Sequence, residues 1–286
     1  MIISKEFVRA NLKSLDINAN KYSAGSVMIF AGSFGMAGAA VLSAKAALRS
    51  GAGIVRLAVP DSVYPICAVG VPEAVFSVVS SEEGKLGADA YSAVAPCFSK
   101  CGAVAFGPGL GTGEGVSATL TKLLTENTKP LLIDADGINV LSMHIDLLKE
   151  KSCPVLLTPH EGEMARLTGK PSEYIRENRK EVATEFAQKY GVTLLLKGKD
   201  TLIVSEKGEL ALNPTGNAGL ATAGSGDVLT GIISAFMSQG NSPFESAEMG
   251  AFVHGLSADI AARDLGERSL IASDIIEYLP KTFKEC

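Results

Sequence analysis

Asp227 is the one ionisable side chain in a run of small residues, Ala223, Gly224, Ser225 and Gly226, that leads straight into an apolar helical segment at 228–237. With almost no side chains in the way, backbone N–H groups there can converge on an anion, and the helix N-terminus adds partial positive charge. A carboxylate at such a mouth opposes a bound phosphate unless it takes a proton from a hydroxyl involved in phosphoryl transfer. The plainer alternative is a capping carboxylate beside a glycine turn. The spacing favours phosphoryl chemistry.

The elements that must position this loop follow from periodicity. Apolar runs at 26–31, 54–59, 74–79, 103–106, 131–134, 155–158 and 192–197 read as strands, and helical patterns at 36–50, 115–125, 137–149 and 172–190 lie between several of them. This alternation predicts a mostly parallel sheet covered by helices on both faces. Residues 201–205 and 209–213, joined at Lys207-Gly208, predict an antiparallel hairpin. The last third is predicted helical at 242–264 and 273–283. With no repeat, low-complexity segment or linker, one domain over residues 1–286 is the expectation.

In an open parallel sheet, ligands collect at the carboxyl ends of the strands. Polar and glycine-rich segments recur at those ends: 32–39, 107–111, 134–139, 158–163 and 197–201. Together with the Asp227 loop they predict one long cleft. Gly32-Ser33-Phe34-Gly35 lacks GxGxxG spacing, the GxGxG at 107–111 follows the fourth strand instead of the first, and a Walker A lysine is missing. A dinucleotide dehydrogenase and a P-loop enzyme are therefore disfavoured.

Composition sets the outer limits. With 47% hydrophobic and 20% charged residues, the chain can bury a large core. A net charge of −5 gives no electrostatic case for nucleic acid or an anionic membrane. No apolar run approaches the roughly 20 residues that span a bilayer, and the first residues show no signal-peptide pattern, so a cytoplasmic location is expected. Five cysteines, with only three histidines in the chain, predict reduced thiols and no zinc site.

These residues carry a resemblance. From about residue 23 to the C-terminus, the chain resembles the ADP- or ATP-dependent NAD(P)H-hydrate dehydratases, the carbohydrate-kinase-like domain of the YjeF family in the ribokinase-like superfamily. The blocks are Gly-Ser-Val-Met-Ile-Phe-Ala-Gly-Ser with Ala-Ala-Leu-Arg-Ser-Gly-Ala-Gly, then Gly-Pro-Gly-Leu-Gly, Asp-Ala-Asp-Gly-Ile-Asn, Thr-Pro-His-Glu-Gly-Glu-Met-Ala-Arg-Leu and Ala-Gly-Ser-Gly-Asp-Val-Leu-Thr-Gly, in that order. Departures are small: Gly137 stands where the family usually has Ala, and Met36-Ala37-Gly38 replaces a more common Pro-containing turn. The resemblance implies a ribokinase-like three-layer α/β/α sandwich. It also implies repair of (6S)-NAD(P)H hydrate (NADHX or NADPHX): ADP or ATP phosphorylates the ring hydroxyl, and elimination of phosphate restores NADH or NADPH.

Under that reading Asp227 is the catalytic base and also touches the hydrate, while Ala223, Gly224, Ser225 and Gly226 supply phosphate-binding N–H groups. Lys197, Gly198, Lys199, Asp200 and Thr201, with Gly226, bind the nucleotide; the alternative for Lys197 is an ordinary solvated lysine. The resemblance turns His160 toward the hydrate, whereas a lone histidine is otherwise a satisfied structural group. It also brings Ala39, Gly109 and Gly111 close to the dinucleotide, which their small or absent side chains permit. Glu163 takes the place of the glutamate in the superfamily's Asn-x-x-Glu motif and holds Mg²⁺ through water, or else is a helix-start carboxylate. Asp136 and Asn139 read as turn and capping residues, the alternative being that they orient the site. Relatives form homotetramers, for which the apolar segment at 247–262 offers an interface. The NAD(P)HX epimerase fused to many relatives is expected as a separate chain. Two other readings use the same residues. A small-molecule kinase, such as a hydroxyethylthiazole kinase, is disfavoured by the 158–167 block. A non-catalytic nucleotide sensor is disfavoured by the intact base.

Overall fold

Apart from the edge strand at 75–79, each parallel strand is a short run buried on both faces, as a sheet sandwiched between helix layers requires. The computed structural model describes residues 1–13, 17–18 and 20–286, and all statements of number or absence refer to these. In chain order the elements are α1 (Lys5–Asn11), β1 (Ser26–Phe30), α2 (Ala37–Arg49), β2 (Ile54–Pro60), α3 (Tyr64–Gly70), β3 (Val75–Val79), β4 (Ser81–Glu82), β5 (Lys85–Leu86), α4 (Ala90–Val94), β6 (Ala103–Phe106), α5 (Glu114–Thr125), β7 (Leu131–Ile133), α6 (Asp136–Met143), β8 (Val155–Leu157), α7 (Glu161–Thr168), α8 (Ser172–Glu177), α9 (Arg179–Tyr190), β9 (Thr193–Leu196), β10 (Leu202–Val204), β11 (Leu210–Leu212), α10 (Ser225–Ser238), α11 (Pro243–Leu265) and α12 (Ala272–Glu285). Nine strands form one sheet in the order β11-β10-β9-β8-β7-β6-β1-β2-β3. All neighbours are parallel except β10, which runs antiparallel to both β9 and β11.

Two apolar cores fill the two faces. Leu132, Leu156 and Leu195 face the layer of α1, α2, α10, α11 and α12. Ile133, Leu157 and Leu196, their sequence neighbours, face the layer of α4 to α9. The pleat alternates side chains, so Asp134, Thr158 and Lys197, one step beyond β7, β8 and β9, lie on the α10 side. The sheet order reverses between β1 and β6, the kind of crevice where open α/β sheets bind ligands.

α2 is a run of small residues, and it lets α10 approach closely. A Cβ added at Gly231 would sit 2.2 Å from the Ser43 carbonyl oxygen. α10 is buried almost all round, which fits its continuous apolar run better than an amphipathic stripe would. α11 is likewise buried in the chain's own core. The expectation that residues 247–262 supply an oligomer interface is thereby corrected: that apolar surface is already used.

Two predicted helices are each interrupted. The 137–149 segment breaks at His144, whose backbone leaves the helical region, and continues as a 3₁₀ turn. The 172–190 segment breaks at Asn178, whose side chain donates to the Tyr174 carbonyl and competes with the helical ladder. α1, α3, α4 and the β4–β5 hairpin were outside the sequence expectation. No described helix is long and apolar enough to cross a membrane.

Candidate functional site

Asp227 is the third residue of α10, whose first turn opens at the carboxyl edge of the sheet. Gly224 precedes the helix at φ +88°, a left-handed conformation that L side chains rarely adopt. Gly226 lies between Lys197 and Asp134; a Cβ there would be 3.6 Å from Lys197 Nζ and 3.8 Å from Asp134 Oδ2. Asp227 is half-buried, and its carboxyl is pushed up to about 7. Burial is the main cause; the charges of Asp134 and Asp136 add to it and Lys197 partly offsets it. An acid titrating there can accept a proton near neutral pH.

Ala223 is exposed, whereas Ser225 is buried and tied down. His254 of α11 reaches the start of α10, with Nε2 3.0 Å from the Ser225 carbonyl and 3.3 Å from Ser225 Oγ. The carbonyl fixes the proton on Nε2, and the ring stays neutral because burial lowers its pKa from 6.5 to about 4. Below pH 6.5 the unfolded chain protonates this histidine while the folded chain does not. His254 therefore costs stability progressively as pH falls from 6.5 towards 4. The difference in melting temperature between wild type and His254→Gln is expected to turn in the variant's favour across that window. A pH-independent difference would remove His254 from acid lability.

Lys197, at the end of β9, donates to Asp134 Oδ1 at 2.7 Å and lies 3.7 Å from Glu163 Oε2. Burial opposes its charge, but Asp134, Glu163 and Asp227 outweigh that and hold its pKa above the usual lysine value. Asp134 is almost fully buried, and its second oxygen accepts from Thr230 Oγ1 at 2.7 Å. Lys197 is thus not a solvated strand-end lysine; much of its charge is already matched.

His160 and Glu163 form a capping box at the start of α7. His160 Nδ1 accepts from the Gly162 and Glu163 N–H groups at 2.9 and 3.3 Å, and Glu163 Oε2 accepts from the His160 N–H at 2.8 Å. Burial, with Lys197 and Arg166, lowers the His160 pKa, so the imidazole is neutral with its proton on Nε2. That N–H lies 3.5 Å from Glu163 Oε1. Glu163 is buried, and burial raises its pKa, partly offset by Lys197. Its Oε1 has no protein hydrogen bond, with His160 Nε2 at 3.5 Å as its nearby ring nitrogen. That suits an outer-sphere hold on Mg²⁺, and no group of three or more metal-ligating side chains gathers among the described residues.

On the other side of the cleft, Gly109 (φ +60°) lets the 107–111 loop press on α2: a Cβ there would be 2.8 Å from the Ala39 Cβ. The Gly111 N–H is not free, because it donates to Asp136 Oδ2 at 2.8 Å. Asp136 Oδ1 accepts from Asn139 Nδ2, and Asn139 Oδ1 accepts from Arg166 Nε. Asp136 thus ties the first turn of α6 to the 107–111 loop, and neither it nor Asn139 caps the helix, which begins after Ala135 without a side-chain cap.

The Gly198–Thr201 loop is closed by the Thr201 hydroxyl, which donates to the Gly198 carbonyl; Lys199 and Asp200 are exposed. Arg179 had no sequence signal. It donates to the Leu196 and Lys197 carbonyls and to Glu161 Oε1 at 2.9 Å, clamping this loop to α7. His160, Glu161, Gly162, Lys197 and Gly198 line a common hollow of about 460 Å³. Of the residues assigned to the hydrate only His160 lines it, beside Lys197 and Gly198 of the nucleotide set. A second hollow, of about 490 Å³ along α9, is lined by Arg179 but by none of the residues assigned to a substrate. Asp134, Thr230 and His254 were also missed. Asp134 stood visible in Asp-Ala-Asp, but its partners lie far away in sequence.

Residues 27–281 match the family described as NAD(P)H-hydrate dehydratase. The chain is 39% identical over 280 residues to the bifunctional NAD(P)H-hydrate repair enzyme Nnr of Moorella thermoacetica, covering 98% of this chain and 53% of that protein. It therefore spans about half the length of the bifunctional relatives it matches. It is 32% identical over 281 residues to the ADP-dependent (S)-NAD(P)H-hydrate dehydratase of Bacillus subtilis, covering 98% of this chain and 97% of the relative. The crystal structure of the B. subtilis ADP/ATP-dependent NAD(P)H-hydrate dehydratase, co-crystallised with ATP/Mg²⁺, superimposes with a TM-score of 0.84 at 30% identity, covering 98% of this chain and 96% of that one. With its ribokinase-like α/β/α fold, this chain belongs to the NAD(P)H-hydrate dehydratase family.

Proposed function

We propose that this chain, acting as one domain, repairs (6S)-NAD(P)H hydrate by nucleotide-dependent dehydration. Asp227 carries the reading: a half-buried carboxyl titrating near neutrality, at a helix mouth whose first N–H groups point outward. Asp227 takes the proton of the ring hydroxyl as that oxygen attacks the terminal phosphorus of the donor, whose bond to the bridging oxygen breaks to release AMP from ADP (or ADP from ATP). The N–H groups at 223–226 stabilise the charge on the transferring phosphoryl group. Elimination of phosphate then restores the reduced ring. Lys197 and the Gly198–Thr201 loop hold the nucleotide; Ala39, Gly109, Gly111 and the His160 Nε2–H hold the hydrate. Mg²⁺, held by nucleotide phosphates and by water on Glu163, neutralises phosphate charge when bound.

ADP is the proposed donor, in line with the name of the B. subtilis relative that matches along nearly its whole length. The proposal includes a cytoplasmic homotetramer working with an NAD(P)HX epimerase. NADHX incubated with ADP, and in parallel with ATP, tests the activity. Recovery of reduced-ring absorbance with phosphate release is expected. Nucleotide consumption without recovery indicates a kinase, and no consumption indicates a sensor.

His160 provides a separate check on the hydrate side. His160→Ser retains a good N-cap, while His160→Ala loses it and costs about 1 kcal/mol of stability. Both variants lose the Nε2–H donor, so both are expected to weaken hydrate binding by ~1–3 kcal/mol, with nucleotide affinity nearly unchanged. Calorimetry with each ligand decides the matter. A collapse of nucleotide affinity with normal hydrate handling would reverse the two halves of the cleft.

A further inference from the structure

Asp134 lies beneath the first turn of α10 and makes two short polar contacts. Oδ1 accepts from Lys197 Nζ and Oδ2 from Thr230 Oγ1, both at 2.7 Å. Thr230 follows Asp227 by three residues, so the two occupy one face of α10. Between them and the sheet, Gly226 contributes no side chain, and the Lys197 ammonium comes within 3.6 Å of where its Cβ would be. Lys197 pairs with Asp134 and lies 3.7 Å from Glu163 Oε2, while Asp227 makes no ion pair with it.

We infer that Asp134 is a positioning residue for the proposed reaction: it holds the Lys197 ammonium off Asp227 and, through Thr230, seats the turn that carries Asp227. The inference rests on Asp227 being the base. Were Lys197 paired with Asp227 instead, the carboxylate would be committed to an ion pair and its basicity reduced. The charged groups facing Asp227 are Asp134 from the end of β7, Lys197 from the end of β9 and Asp136 from α6. Removing the Asp134 charge deletes one repulsion and takes from Lys197 its short partner, leaving only the longer contact with Glu163 to hold it off Asp227.

Asp134→Asn keeps an oxygen for Thr230 and removes the charge. The acid limb of the kcat–pH profile, set in wild type by a group near 7, is expected to move down by about one pH unit. kcat above the limb is expected to fall roughly tenfold or more. Thr230→Val keeps both charges and cuts the tether; it is expected to lower kcat and leave the limb in place. A wild-type kcat in Thr230→Val overturns the seating role. A second arm needs no substrate. The stability gained at pH 8 on adding Asp227→Asn is expected to shrink by more than half in the Asp134→Asn background, because Asp227 is then paired. An unmoved limb or an undiminished gain overturns the charge-holding role. If wild type fails to restore NADHX, the functional reading fails, and the stability arm still decides what Asp134 does to Asp227 and Lys197.

Discussion

Asp227→Asn is expected to lower turnover by at least ~10²-fold, the usual size of a lost general base, and yet to give a more stable protein above pH 7. Amide and carboxyl have nearly the same shape, so the turn is preserved while the proton acceptor is lost. The stability gain follows from linkage. Burial and the neighbouring Asp134 raise the Asp227 pKa from 3.8 to about 7. Between those values the folded chain holds a proton that the unfolded chain has released, so stability falls as pH rises through the window. The variant does not bear this cost. Its advantage is expected to be ~1–3 kcal/mol at pH 8, discounted for partial exposure, and much smaller at pH 5. Steady-state rates with NADHX and melting curves at the two pH values test both halves. Near wild-type turnover removes Asp227 from the mechanism, and a pH-independent difference in melting removes the raised acidity.

The second large effect is expected at Lys197. Lys197→Met replaces the ammonium with an apolar side chain of similar length and leaves the carboxylates of Asp134 and Glu163, only 1% and 5% exposed, without their cation. Breaking a buried pair from one side is costly, and a loss of ~3 kcal/mol in urea unfolding is expected. The apparent KM for nucleotide is expected to rise far more than that for the hydrate, because the proposed function sets Lys197 and the Gly198–Thr201 loop against the phosphates. Equal changes in the two KM values would make Lys197 a structural residue only. An unchanged unfolding free energy would mean that Asp134 and Glu163 find other partners.

Secondary structure was legible in the sequence because burial imprints a local period. The strand at 103–106 matches β6 residue for residue, and the helix at 36–50 contains α2 with one residue spare at each end. The loop before α10 was legible too, since small residues followed by an apolar run record a close backbone approach. The breaks at His144 and Asn178 were not, because single-residue departures leave the surrounding helical pattern intact.

The sequence by itself therefore determined the elements, their alternation and the loop that carries Asp227. Tertiary structure decided what each charge in that site faces. Lys197 and Asp134 are 63 positions apart and Asp134 and Thr230 are 96 apart, and no local pattern records such pairings. It also decided that the accepting nitrogen of His160 is consumed by the α7 cap, that Arg179 clamps the Lys197 loop, and that the apolar 247–262 segment is buried within the chain. The physical reason is common to all of these. Backbone conformation and apolar period are set by neighbours a few residues away, whereas acidity, hydrogen-bond partners and burial are set by whichever elements the folded sheet brings into contact.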